Sequence, residues 1–247
     1  MGFVYIEKVL RMLQDIETKE EKSLKDAIAL MTECILKGNS IYCFGTGHAA
    51  MICQELYYRA GSLLLINPIF APGLSADIEP VTLSTDLERL EGYGTLIANK
   101  KADFQPGDVL IVHSVSGRNP AVIEMALAAK AKGAKVIAIT SANVSKDLKS
   151  RHSSGLRLFE TADTVIDNHV EKGDAAVAIE GLEQKAGSTS TIAAAAIAQI
   201  LQTETVRALK EQGMEEVPVL QSANIEGGDA HNQKLFEKWK KQIHYKP

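Results

Sequence analysis

The 247-residue sequence predicts an α/β fold: a doubly wound αβα sandwich around a five-stranded, mainly parallel sheet, preceded by an N-terminal helical segment. Three observations predict it. Apolar runs such as VLIVH (109–113) and KVIAIT (135–140) are continuous rather than alternating, as strands covered on both faces are. Segments of helical period separate these runs, the pattern of a parallel sheet wound by crossover helices. No repeat, low-complexity segment or composition break intervenes. Residues 1–247 are therefore expected to form one domain: a helical segment at 1–37, an α/β core at 38–212 and a tail at 213–247.

The elements follow in order. Residues 3–37 contain no Gly or Pro and place Ile6, Val9, Leu10, Leu13 and Ile16, then Ala27, Ile28, Met31, Ile35 and Leu36, at helical spacing. This reads as one long helix or two joined ones, ended by Gly38. Such a preface is too long to bury on a single domain face, so another subunit is expected against it. SIYCF (40–44) is the first strand, followed by a GTG turn and a helix to Ala60. LLLIN (63–67) is the second strand, then a polar loop with Pro68, Pro72, Gly73 and Pro80 leads to a helix over 85–100. VLIVH precedes a helix over 120–132 closed by Gly133, and KVIAIT, TVIDN (164–168) and the weaker AAVAI (175–179) are further runs. An alanine-rich helix over 189–212 comes last, before an irregular tail with a short helix around 234–240.

Composition excludes several functions. With 45% hydrophobic and 23% charged residues the chain is of soluble globular type, and a net charge of −4 with no basic stripe argues against nucleic acid. TIAAAAIAQIL (191–201) is too short to span a bilayer. The N-terminus carries Glu7 and lacks a long apolar core, and Ile6 stands where a myristoylation signal needs Ser or Thr. A cytoplasmic protein without membrane contact is expected. Cys34, Cys43 and Cys53 are too few for a disulfide framework, and the spacing of Cys43, His48 and Cys53 fits no common zinc pattern. They read as buried thiols, with no metal and no cofactor expected.

The most informative stretch is SVSGRN (114–119), a polar elbow between a strand and a helix. Ligands of parallel sheets bind outside the carboxyl ends of strands, where this elbow lies. Asn119-Pro120 reads as N-cap and first helical residue, and the free N–H groups of that first turn favour an anion. Ser114 and Ser116 add hydroxyls, and Gly117 allows close approach of the backbone. No lysine-bearing nucleotide loop is present, so a single phosphate monoester fits better than a nucleoside triphosphate. The same residues also suit a plain polar turn. A second turn, GTGHAA (45–50), matches the dinucleotide fingerprint, yet the acid expected about 20 residues on is missing. Gly45, Thr46 and Gly47 read instead as the other wall of one crevice around a small phosphorylated ligand.

With the GxG turn at 45–47, S-x-S-G-x-N at 114–119 and the string EMALAAKAKGAKVIAITS with SRHSSG downstream, the sequence resembles the SIS (sugar isomerase) domain family over roughly residues 35–205. It is most similar to bacterial SIS proteins of phosphoheptose-isomerase type. The resemblance implies that Ser114, Ser116 and Asn119 bind a sugar phosphate. It departs at 48–50, where His-Ala-Ala replaces a pattern often holding Ser and brings His48 forward as a contact.

His48, Glu55 and Arg59 fall within about 40° of one helix face. An aldose–ketose isomerase needs a base that moves a proton between adjacent carbons and a donor to the carbonyl oxygen. Glu55 is the first choice for the base, and His48 and His231 are donor candidates, the latter in the tail segment SANIEGGDAHN (222–232). Glu55 and Arg59 read equally well as an ordinary i,i+4 ion pair. The resemblance implies a His/Glu pair split between the first and last helices. The last helix here offers Gln199, Gln202 and Glu204 but no histidine, so that pairing does not transfer. Ser188 and its neighbours Thr189, Ser190 and Thr191, together with Arg118 and His152, are further substrate candidates. A non-catalytic phosphosugar sensor and an amino-sugar phosphate etherase or lyase stand as alternatives to the isomerase. The long first and last helices predict a homodimer or higher homo-oligomer.

Overall fold

The computed structural model describes residues 2–245. Two helices open the chain, α1 (Val4–Lys19) and α2 (Glu21–Leu36). They part at Glu20, whose backbone (φ −100°, ψ 12°) is not helical. Its carboxylate is engaged elsewhere: Oε2 accepts from the Ser23 hydroxyl at 2.7 Å and the Asp167 N–H at 3.1 Å, and Oε1 lies 3.1 Å from His169 Nε2. Leu24, Ala27, Met31, Cys34 and Ile35 bury α2 against its own domain. On α1 only Val9, Met12 and Ile16 are buried, and Phe3, Ile6 and Leu10 stay exposed in a stripe.

Five strands, β1 (Ile41–Gly45), β2 (Ile66–Pro68), β3 (Val109–His113), β4 (Lys135–Thr140) and β5 (Thr164–Asp167), form one sheet in the order β2-β1-β3-β4-β5. Every pairing is parallel. Alternate strand residues enter two cores. Ile41, Cys43, Val109, Ile111, Ile137, Ile139 and Ile166 meet α1, α2, α3 (Met51–Leu56) and α9 (Ser190–Glu211). Tyr42, Phe44, Leu110, Val112, Val136 and Ala138 meet α5 (Tyr93–Lys101), α6 (Pro120–Ala131) and α8 (Leu158–Thr161). Each fully buried Ile or Leu contributes about 2 kcal/mol, so the loops leaving the strands start from a rigid base. All three cysteines are buried free thiols in the first core, with Cys43 and Cys53 sulfurs 3.4 Å apart. Burial pushes the Cys34 thiol up to about 12.

Several elements differ from expectation, each through a long-range contact. LLLIN enters the sheet only at its end. Leu63 bridges antiparallel to Val219, and Leu64 donates to the Pro218 carbonyl at 2.9 Å. AAVAI stays outside the sheet: Val177 pairs with Ala186, and the run leaves Ala178 and Ile179 exposed. The single helix expected over 85–100 is two, α4 (Thr82–Arg89) and α5, broken at Gly92 (φ +88°). Buried Glu124 of α6 holds that break, accepting from the N–H groups of Gly92 at 2.5 Å and Thr95 at 3.0 Å. The helix expected to reach Ala60 ends at Leu56. Tyr57 turns to extended backbone and packs edge-on against Tyr245 (4.8 Å) and Phe70 (5.6 Å). A short α7 (Ala142–Lys146) follows β4. The tail is ordered around α10 (Gly228–Trp239), where the Asn232 side chain makes two 2.9 Å bonds with the Gln221 backbone. Among the described residues, no helix is long and apolar enough to cross a membrane.

Candidate functional site

The strand order places β1 beside β3, where the crossovers diverge to opposite ends of the sheet, and a crevice opens at such a point beyond the strand ends. Gly45 and His113 are register partners there. Residues 46–48 and 114–116 therefore leave adjacent points, each within about 10 Å of the shared origin.

The first wall is sealed more tightly than expected. Gly47 takes φ +57°, ψ −135°, a region that glycine tolerates, and its N–H donates to the Leu74 carbonyl at 2.6 Å. Thr46, 5% exposed, donates its hydroxyl to Glu88 Oε2 at 2.8 Å. A carboxylate beside that hydroxyl repels phosphate. Gly45, Thr46 and Gly47 thus shape the wall, and the donors of Thr46 and Gly47 are already committed.

The elbow is the open wall. Gly117 (φ +58°) turns the chain, and its N–H donates to Ser114 Oγ at 3.2 Å, so Ser114 closes the turn from within. The Thr140 hydroxyl and Ser141 N–H both bond the Val115 carbonyl at 3.1 Å, fixing the elbow to the end of β4. Ser116 and Arg118 are half-buried at the lip. Asn119 occupies the N-cap position with Pro120 after it, as expected, but its side chain does not cap. Its Oδ1 instead accepts from Arg151 Nη1 at 2.9 Å. The sequence reading had placed His152, not Arg151, at the substrate. His152 faces away, its Nδ1 2.7 Å from Ser154 Oγ and its Nε2 3.7 Å from Glu124.

On the other side of the crevice, His48, Met51, Ile52 and Glu55 line a small cleft with Thr191, Ala194 and Ala195 of α9. His48 lies in a 3-10 turn (His48–Ala50) ahead of α3. Glu55 pairs through Oε2 with Arg59, and its Oε1 accepts from Gln199 Nε2 at 2.6 Å. The ion pair is therefore real, although Arg59 lies beyond the helix end rather than on its face. Gln199 of α9, the helix that the sequence leaves without a histidine, meets Glu55. A carboxylate has about four lone-pair directions, so both oxygens keep capacity toward the cleft.

Two candidates fall elsewhere. His231 bonds the Val219 carbonyl at 3.2 Å, and Val219 pairs with Leu63 ahead of β2, at the opposite end of the sheet from the crevice. The 222–232 segment therefore does not close over this site. Ser188 is exposed, and its carbonyl accepts from the Tyr5 hydroxyl at 2.5 Å. Its neighbours are held by Asp174, which the sequence reading missed. Asp174 Oδ1 accepts the Thr189 and Ser190 N–H groups at 3.0 Å each, and Oδ2 accepts the Ser190 hydroxyl at 2.5 Å. Asp174 thus caps α9 from a distance. Asp174→Ala is expected to cost about 1–2 kcal/mol in urea unfolding, and an unchanged midpoint would count against this capping role.

His113, at the junction of strand and elbow, was also missed. It is 1% exposed. Its Nδ1 lies 3.2 Å from the Ala49 carbonyl, an acceptor, so Nδ1 carries the proton. Nε2 is buried without a hydrogen-bond partner among the described residues. Burial lowers its pKa to about 4, outweighing the Ala49 bond and the Asp174 charge.

Comparison with known proteins places the fold. A SIS domain family model matches residues 4–141, more than half of the chain. The chain belongs to the SIS domain family. It is 49% identical over 241 residues to a UPF0309 protein of Shouchella clausii, covering 98% of this chain and 97% of the relative. It is 47% identical over 241 residues to a UPF0309 protein of Oceanobacillus iheyensis, with the same coverage of both chains. Among solved structures, a phosphoheptose isomerase from Francisella tularensis aligns with TM-score 0.53 at 16% identity, covering 81% of this SIS chain and 94% of that one. That likeness is one of fold.

Proposed function

We propose that this SIS protein binds a sugar phosphate across the β1–β3 crevice and interconverts its aldose and ketose forms. One observation supports the reading above all. The elbow at the end of β3 and the turn leading to the His48–Glu55 cleft start from register partners, Gly45 and His113. A ligand with its phosphoryl group at Ser116 and the first turn of α6 extends its carbon chain toward that cleft. Glu55 then removes the proton from the carbon next to the carbonyl, while His48 donates to the carbonyl oxygen. The resulting enediol takes the proton back from Glu55 on the former carbonyl carbon, while its other hydroxyl returns a proton to His48 and becomes the new carbonyl, so no atom is gained or lost. Exposed Phe3, just ahead of α1, and Ile6 and Leu10 on it support a homodimer or larger homo-oligomer as the working state.

The engagement of both Glu55 oxygens favours a second reading, a phosphosugar sensor without turnover. Solvent-deuterium exchange separates the two. The protein is titrated with ketose and aldose phosphates of five to seven carbons, and exchange at the carbon next to the carbonyl is followed by NMR. The isomerase reading expects binding with exchange, and Glu55→Gln lowers exchange at least about 100-fold while affinity stays within about twofold. Binding without exchange in the unmodified protein overturns the isomerase in favour of the sensor. Ser116→Ala is expected to weaken binding about tenfold. An unchanged affinity there moves the phosphoryl group away from the elbow.

A further inference from the structure

The crevice rim holds arginines that no carboxylate pairs among the described residues. Arg59, Arg157 and Arg207 each sit against a carboxylate. Arg89, Arg118 and Arg151 make no ion pair among the described residues, yet they converge on the elbow from three segments. Arg151 donates its backbone N–H to the Arg118 carbonyl and its Nη1 to Asn119 Oδ1, both at 2.9 Å. Arg118 Nε is buried without a hydrogen-bond partner. Arg89 ends α4, which the Thr46–Glu88 bond ties to the opposite wall. The Arg151 pKa is lowered by partial burial first and then by the charges of Arg118 and Arg89, with Glu88 acting in the other direction. These three guanidinium groups have no ion-pair partner among the described residues, while the nearby carboxylates Glu88 and Glu91 are bonded to the Thr46 hydroxyl and the Ser153 N–H.

Like charges are not gathered this way without an electrostatic cost, and a bound anion removes it. Asn119 points the same way. Because its side chain holds Arg151 rather than capping α6, no side chain takes the N-cap bond beside these arginines. A phosphate monoester carries a charge near −2 at neutral pH and offers several oxygens to such unpaired guanidinium groups.

We propose that Arg151, with Arg118 and Arg89, reads the charge of the ligand's phosphoryl group, and that Arg151 selects a dianion over singly charged or neutral sugars. This rests on the elbow being the phosphoryl site and adds the group that makes it selective. The planar fork of Arg151 bonds Asn119 through Nη1, leaving its remaining N–H groups for phosphoryl oxygens. Lysine supplies the charge without the fork.

The test uses the full chain at pH 8, with inorganic phosphate as the dianion and methanesulfonate as a tetrahedral monoanion. Apparent affinities are read from ligand-induced shifts in thermal unfolding. The unmodified protein is expected to favour phosphate about 30-fold or more, and Arg151→Gln to weaken phosphate binding about tenfold with little change for methanesulfonate. Arg151→Lys is expected to lose about threefold. Arg118→Gln, which removes a different rim charge, is expected to act in the same direction as Arg151→Gln. If Ser116→Ala weakens phosphate binding but Arg151→Gln and Arg118→Gln do not, the arginine proposal is overturned and the elbow reading stands. If phosphate does not shift the unmodified protein at all, both fall together.

Discussion

Gly45→Ala is expected to lower stability by about 3 kcal/mol and to abolish sugar-phosphate binding. A Cβ on Gly45 would lie 2.4 Å from the Ala49 carbonyl oxygen, 2.7 Å from its carbon and 3.0 Å from the Ala50 nitrogen. These are backbone atoms of the turn leading into α3, so no side chain can swing aside. The turn must move, and it carries His48 and presents the Ala49 carbonyl to His113. Gly47 makes a useful contrast, because a Cβ there meets nothing within 4 Å and only its positive φ resists substitution. Chemical denaturation and phosphate titration of Gly45→Ala check the prediction. A variant with unchanged unfolding midpoint and affinity would show that the turn yields freely.

Acidification from pH 7 to 5 is expected to remove about 2 kcal/mol of stability through His113 alone. The unfolded imidazole titrates at 6.5 and the folded one at about 4, chiefly because burial disfavours the charged form. Between those values the unfolded chain binds the extra proton. The contribution is thus complete above pH 6.5 and is lost as pH falls toward 4. Urea unfolding at both pH values, in the unmodified protein and in His113→Asn, isolates the effect from that of the carboxylates. The unmodified chain should lose about 2 kcal/mol more than the variant. Equal losses would mean that His113 is already accessible to protons in the folded state.

Most of the fold was legible because its signals are local. VLIVH and KVIAIT became β3 and β4 at the expected residues, and Asn119-Pro120 started α6. The elbow was legible for the same reason: hydroxyls, glycine and proline in one short window fix a turn. The errors share a different cause. The 63–67 run yields most of its length to the Val219 bridge, and α3 stops where Tyr57 finds Tyr245. His231 looked available because no local feature announces that its segment packs at the far end of the sheet.

The sequence by itself determined the main strands and helices around the crevice, and that a strand-to-helix elbow offers hydroxyls there. Hydrophobic period and turn chemistry act over a few neighbouring residues, so they can be read without coordinates. Tertiary structure alone decided the strand order that sets Gly45 against His113, the capture of Asn119 by Arg151 across 32 residues, and the approach of Gln199 to Glu55 across 144. Those contacts depend on where distant segments return, which packing of the whole chain settles and no short window encodes.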